Sequence, residues 1–359
     1  MPRCSRLLRR STRIATSLGT SVVRHGNLRT AMSAKRPVAV VFGGAGFIGS
    51  HLLRRLRQLG HRVISADLNP LNSAIESVEH HICDVRHRIP RALFAPADDD
   101  GEVTIYNLAA VHRTPGHNDR EYYDTNVTGA LTVTEYADAI DARRVIFTSS
   151  ISVYGPGEEQ RSEHSELRPE STYGASKALA EEIHRRWRTD DSKQLVVVRP
   201  AVIFGVGERG NFTRLASALR GRRFVYPGRT DTIKACGYVR DLVESFLFAA
   251  TNAPPEVTYN FCFPKPPTIR EICDSFNSVG GLAQPLGTVP SRVLGGVAAV
   301  FETLENVGVR TGVNRQRVDK LVRSTNVVPE QLISLRYPFH YTLATAIADW
   351  REQSAGEFR

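Results

Sequence analysis

Long apolar runs are missing from this 359-residue chain; none approaches the roughly 20 residues that a helix needs to span a bilayer. Cysteine is scarce: five residues, odd in number and scattered, with no Cys-x-x-Cys pair. That excludes a disulfide framework and a thiolate metal site, and fits a reducing compartment. The 11 histidines also lack metal-ligand spacing, so no metal is expected. Internal repeats and low-complexity segments are absent. Acidic residues are missing from residues 1–36. That segment holds nine of the 47 Lys and Arg and none of the 37 Asp and Glu. The remainder carries 38 basic against 37 acidic residues, so the net charge of +10 belongs to a tail and no nucleic-acid face is implied.

The tail is rich in Arg, Ser and Thr and has no strong apolar segment, which excludes a secretory signal. Its composition is that of a mitochondrial transit peptide. A disordered tail, or a start at Met32, is the plainer reading. The cytoplasm is the expected location, with the mitochondrion as the alternative. Residues 1–36 are set aside from the fold.

What is present begins at Val38-Ala39-Val40-Val41-Phe42, an apolar run that meets glycines at 43, 46 and 49. Apolar residues at helical spacing follow in Leu52-Leu53-Arg54-Arg55-Leu56. This predicts a buried strand, a tight turn and a helix start. Gly43 permits the turn, Gly46 leaves room for a pyrophosphate, and Gly49 lets the helix lie close on the strand. The anion would sit on the free N–H groups of that helix. A second strand, His61 to Ala66, ends in Asp67, where a carboxylate can take hydrogen bonds from an adenosine ribose and favour NAD over NADP. Further strands are expected to end near Ile82-Cys83-Asp84 and at Val103–Leu108, Val145–Phe147 and Leu195–Val198. Asp124 to Ala139 reads as a helix opening with Asn126. Alternation of this kind predicts an α/β fold, a doubly wound parallel sheet of Rossmann type. Asp84-Val85 is placed to border an adenine, though an Asp after a strand also serves as a helix cap.

The chemistry gathers after the fifth strand. Thr148-Ser149-Ser150 ends that strand, and Tyr173-Gly174-Ala175-Ser176-Lys177 opens a helix. Tyr and Lys four apart share a helix face. An ammonium beside a phenol is expected to pull the phenol's pKa down toward the working pH. Tyr173 then takes a proton from an alcohol while hydride leaves its carbon, and Ser150 holds the same oxygen.

These residues, with Asn107-Leu108-Ala109-Ala110, Asn126, Val153-Tyr154-Gly155 and Arg199-Pro200-Ala201-Val202-Ile203-Phe204-Gly205, resemble the extended short-chain dehydrogenases/reductases, and more narrowly the NAD-dependent epimerase/dehydratase family. The resemblance covers roughly residues 37 to 350. It implies that Ser150, Tyr173 and Lys177 are catalytic. It implies NAD contacts from the turn (Gly43, Gly46, Phe47, Ile48, Gly49), Asp67, Asp84, Val85, Ala109, Tyr173 and Lys177, with the backbone after Pro200 facing the carboxamide. It further implies an NAD-binding domain over 37–200 and 230–262 and a smaller substrate domain over 201–229 and 263–350. Asn211, Lys234 and Arg317 are candidates to hold a nucleotide diphosphate, with Arg229 in reserve because an Arg is common where Lys234 stands. His112 is a candidate for the sugar pocket. A homodimer is expected through the helices near Asn126 and Tyr173.

Family dehydratases usually carry acids directly after the catalytic Ser or Thr; here Ile151 and Ser152 stand there. This pair resembles the epimerases and reductases. The expected activity is nucleotide-sugar epimerisation, usually at C4, through a transient ketosugar. The alternative is an NAD(P)-dependent reductase or dehydrogenase of a ketosugar or hydroxysteroid-like alcohol. A non-catalytic NAD-binding protein of this fold is disfavoured, because both Tyr173 and Lys177 are in place.

Overall fold

The computed structural model describes residues 35–72, 75, 77–91, 97, 100–113, 116–290 and 322–354. The basic tail up to Ala34 and Arg317 lie outside the described residues. Seven strands form the central sheet: β1 (Arg36–Phe42), β2 (Arg62–Asp67), β3 (Glu79–Ile82), β4 (Asp100–Asn107), β5 (Arg144–Thr148), β6 (Gln194–Pro200) and β7 (Glu256–Phe261). Their order is β7-β6-β5-β4-β1-β2-β3, and every pairing is parallel. The order reverses at β1, between β2 and β4, which places the switch point at the glycine turn.

Parallel strands covered on both faces need apolar residues at successive positions, not alternate ones. β1 shows why. Val38, Val40 and Phe42 pack into the core on one face, with Val133 and Tyr136 of α3 (Gly129–Ala139) and Ala180 and Trp187 of α4 (Thr172–Trp187). Ala39 and Val41 pack into the other, with Leu52, Leu53 and Leu56 of α1 (Phe47–Gln58). Leu242, Phe246 and Ala249 of α6 (Val239–Asn252) complete that face. None of these β1 side chains is more than 1% exposed. Each fully buried Val or Phe contributes about 1.5–3 kcal/mol.

A separate aromatic core lies C-terminal to β6. Phe204, Phe212 of α5 (Asn211–Arg220), Tyr238, Phe276 and Trp350 pack together there, with the Phe204 and Phe212 rings stacked at 4.2 Å.

The helix expected at Asp124–Ala139 starts earlier. α2 (Asp119–Tyr123) opens with Asn118, whose side chain accepts from Glu121 N at 3.0 Å. A wider π turn over Asp124–Thr128 then leads into α3. The cap is a local signal that outweighs the start read at Asp124. The π turn buries Asn126. Its amide accepts from Val111 N at 3.0 Å and donates to Ser176 Oγ at 2.9 Å. One side chain therefore ties the loop after β4 to α4.

Gly49 meets the tightest backbone in the turn. A Cβ there would lie 2.2 Å from the Gly43 carbonyl oxygen and under 3 Å from Gly44. Gly49→Ala is expected to lower unfolding stability by about 1–3 kcal/mol, because α1 must move off the strand. Urea unfolding checks this; an unchanged midpoint would show that the approach is not needed.

Candidate active site

The turn after β1 is built by exclusion. Gly43 has φ +81° and donates its N–H to Ala66 O at 2.8 Å. A Cβ on it would lie 2.8 Å from Ala109 N. Gly44, given no role by the glycine spacing, is equally constrained: its Cβ would lie 2.2 Å from Ser65 Oγ on β2. Gly46 is exposed. It caps α1 without a side-chain acceptor, and the first turn of α1 holds no acid. Free helix amides beside an exposed glycine form a cradle for an anion. Asp67 closes one side. Its Oδ2 accepts from Ala45 N at 3.0 Å and its Oδ1 from Asn69 N at 2.9 Å. The carboxylate is thus held at the lip of the turn by two amides and keeps lone pairs for ribose hydroxyls. The residues present fit the diphosphate and ribose of NAD.

Asp84 is clamped by Arg86 at 2.6 Å, which holds its carboxyl below the usual range. Val85 turns its side chain into the core, where it fills the space left by Gly129. Ala109 is half-buried and packs beside Gly43, at the ends of β1 and β4. Pro200 ends β6, and next to it β5 leaves the sheet with Ser149 N donating to Val198 O at 2.6 Å.

Ser150 caps a single 3-10 turn, Ile151–Tyr154. Its Oγ accepts from Ser152 N and donates to Ser152 Oγ, each at 3.1 Å. Gly174 lets α4 settle on this turn, since a Cβ would lie 2.4 Å from Ser152 O. Ser171 caps α4 through Gly174 N at 3.1 Å. These contacts bring the Tyr173 phenol beside Ser150. Tyr122 of α2 packs against the Tyr173 ring at 6.2 Å.

Lys177 by itself does not lower the phenol. Burial pushes Tyr173 up to about 12, while the Ser150 hydrogen bond pulls the other way. Lys177 is only 2% exposed; its Nζ donates to Thr148 O at 2.8 Å and lies 4.8 Å from the Phe147 ring centre. Burial pushes the ammonium down to about 7, and Glu181 opposes that. The lysine is thus engaged at the end of β5, and Tyr173 on its own stays protonated at neutral pH. A lowered phenol needs further positive charge.

The loop after β4 carries His112. Desolvation of its ring, with Arg113 and Lys177 nearby, pushes its pKa down, so it reaches this site as a neutral imidazole. The diphosphate candidates are divided. Lys234 Nζ donates to Arg323 O at 2.6 Å and is pushed down to about 8 by burial. Arg229 donates to Ser324 Oγ at 3.1 Å and pairs with Glu158. Ser324 Oγ also takes the Ile233 N–H at 3.0 Å. Lys234 and Arg229 therefore converge on the segment around Ser324. Asn211, exposed at the start of α5, shares no hydrogen bond with that segment. Among the described residues no group of three His, Cys, Asp or Glu could hold a metal ion, and no helix is long and apolar enough to cross a membrane.

Sequence reading missed what lies beneath Lys177. Ser149 Oγ donates to Glu181 Oε1 at 2.6 Å, and Arg199 grips both oxygens of that carboxylate at 2.8 and 2.6 Å. Arg199 also donates to Tyr154 Oη at 2.7 Å, and Tyr154 donates to Asn260 at 2.8 Å. The available signal was spacing: Glu181 follows Lys177 by one helical turn.

The profile of the NAD dependent epimerase/dehydratase family matches residues 39–262. An Escherichia coli O157:H7 protein, N-acetyl-alpha-D-glucosaminyl-diphospho-ditrans,octacis-undecaprenol 4-epimerase, is 30% identical over 86% of this chain and 92% of its own. A UDP-glucose 4-epimerase of Neisseria meningitidis serogroup A is 28% identical over 77% and 92%. A 3 beta-hydroxysteroid dehydrogenase/Delta 5-->4-isomerase of Mycobacterium tuberculosis is 29% identical over 61% of each chain. Among solved structures, MoeE5 in complex with UDP-glucuronic acid and NAD matches with TM-score 0.67 and 24% identity over 88% of this chain and 97% of its own. The NAD dependent-NDP-hexosamine 5,6-dehydratase TunA matches with TM-score 0.60 and 23% identity over 70% and 84%. The two structures share the fold.

Asp67→Ala is expected to weaken NAD binding ten- to a hundredfold, about 1.4–2.7 kcal/mol, with NADP affected less. Fluorescence titration of both cofactors checks this. Equal losses would remove Asp67 as the ribose ligand.

Proposed function

Because this chain belongs to the NAD-dependent epimerase/dehydratase family, we propose that it is a nucleotide-sugar 4-epimerase with Tyr173 as its base. One observation carries the reading: Ser150, Tyr173 and Lys177 converge, while the two positions after Ser150 hold no carboxylate. Ile151 is buried, and Ser152 spends its hydroxyl on Ser150. Removing water from a sugar needs an acid and base beside the reacting carbons. Hydride transfer does not, which favours epimerase over dehydratase. The names of two relatives agree in one respect: each acts as a 4-epimerase on a sugar, UDP-linked in one and diphospho-polyprenol-linked in the other.

In this reading residues 37–200 and 230–262 hold NAD on the first-turn amides of α1 and on Asp67. NAD, when bound, accepts hydride from the sugar carbon and returns it. Tyr173 takes the hydroxyl proton as the C–H bond breaks, and gives it back to the same oxygen as hydride is delivered to the opposite face of the ketosugar carbon. Ser150, oriented by Ser152, holds the sugar oxygen against the phenol. Lys177 lies under the site, and the positive charge of an oxidised nicotinamide, when bound, would bring Tyr173 down from about 12. His112 offers a neutral donor or acceptor to the sugar. Residues 201–229 and 263–350 hold the nucleotide diphosphate, with Lys234 and Arg229 toward the phosphates and Asn211 and Arg317 as further contacts. Exposed Leu131 of α3 and Leu179 of α4 support a homodimer through those helices.

A second reading, a net dehydrogenase or reductase, has the hydroxysteroid dehydrogenase relative in its favour. It needs cofactor that exchanges at every turnover. Two measurements test the first reading. Tyr173→Phe is expected to cut turnover by about 10²–10⁴ with NAD affinity unchanged. Wild-type protein is expected to interconvert UDP-hexose C4 epimers with catalytic NAD only. Full activity in the variant, or a need for stoichiometric reduced cofactor, would overturn it.

A further inference from the structure

We infer that Glu181 is a positioning residue, whose carboxylate anchors the Ser149–Ser150 strand end and sets the electrostatic surroundings of Lys177 one helical turn away. The inference rests on reading Lys177 as a residue of the active site.

The geometry is that of a buried hub. The Glu181 side chain is 0% exposed and the Arg199 side chain 4%. Four donors surround the carboxylate: Ser149 Oγ at 2.6 Å, Arg199 Nε at 2.8 Å, Arg199 Nη2 at 2.6 Å and Arg185 Nη2 at 2.9 Å. Ser149 immediately precedes Ser150, so the carboxylate fixes the backbone from which the substrate-facing hydroxyl projects. Lys177 lies one turn away on the same helix, over the Phe147 ring, with its Nζ donating to Thr148 O. In such surroundings an ammonium needs a nearby anion to stay charged.

The other titratable groups facing Lys177 do not supply that anion. On α4, Tyr173 is a protonated phenol, and His184 is a neutral ring pushed down to about 4 by burial. His184 donates to Ala180 O at 2.7 Å through Nδ1. From the loop after β4, His112 is neutral. From β6, Arg199 is a cation held behind Glu181, and Arg185 is a second cation on the outer side of the same carboxylate. Glu181 is the anion bearing on Lys177 among the described residues.

The test reads Lys177 directly. The chain has six lysines, so [13Cε]-lysine NMR of the full-length protein with NAD gives a small set of signals, and Lys177→Met identifies the one required. Glu181→Gln is expected to move the Lys177 titration midpoint down by a unit or more. The basic limb of the kcat profile should move with it, with sugar KM within twofold of wild type. Glu181→Asp keeps the charge but draws it back by one methylene, and should move the midpoint down by less than Glu181→Gln does. If Glu181→Gln does not fold, Glu181→Asp decides. A midpoint within 0.2 unit of wild type in the variant that decides would overturn the inference. A moved NMR midpoint with an unmoved kcat profile upholds the link between Glu181 and Lys177, and strikes instead at Lys177 as a catalytic group.

Discussion

Between the Gly43 carbonyl and the backbone of Gly49 there is no room for a methyl group, and the rest of the site is spaced from that contact. It fixes how closely α1 approaches the end of β1, and so where the free amides of the helix point. The same turn packs Gly43 against Ala109 at the end of β4 and Gly44 against Ser65 of β2. Three neighbouring strand ends are thereby held to one geometry at the switch point of a parallel sheet. Asp67, at the end of β2, is held against the turn by Ala45 N. The dinucleotide cradle is therefore a product of backbone packing more than of side-chain recognition.

The proposed reacting groups are held on the next strand ends by a different device, a buried polar hub. Ser150 turns away from β5 on a single 3-10 turn, and Gly174 allows α4 to lie on that turn. Lys177, Ser149, Glu181 and Arg199 then join α4 to β5 and β6 through hydrogen bonds below 3 Å. Buried charge is costly unless it is paired, so the paired Glu181 and Arg199 hold one arrangement and penalise others. The hub also leaves Tyr173 as a neutral phenol until more positive charge arrives. On the proposed reading, cofactor binding and activation of Tyr173 as a base would be linked in this way, the oxidised nicotinamide supplying the missing field.

Much of this was legible from residue order because parallel strands buried on both faces read as unbroken apolar runs. Val38–Phe42 and Leu195–Val198 needed no tertiary information. Gly43 and Gly49 were legible because their demands are local: a positive φ and a helix start. Gly44 was not, because the atom that excludes its side chain belongs to Ser65 on another strand. Asn118 as the start of α2 was a local signal passed over. Glu181 on an amphipathic helix reads as a solvated charge until Arg199, 18 residues on, is placed against it. The Tyr-Lys spacing correctly paired two residues of one helix, yet the lysine's immediate partner is Thr148 O, which no spacing reveals. The pairing of Arg229 with Glu158 is longer in range still, so basic residues chosen for a diphosphate turned out to have partners of their own.

The central claim is that hydride leaves the sugar and returns to the same carbon within one closed site. Incubating the protein with UDP-hexose deuterated at C4, with only catalytic NAD and excess unlabelled reduced cofactor in solution, tests this directly. Epimer formed with the C4 deuterium retained is the predicted result. Epimer formed with loss of the label to the cofactor pool, or no epimer at all, would contradict the account.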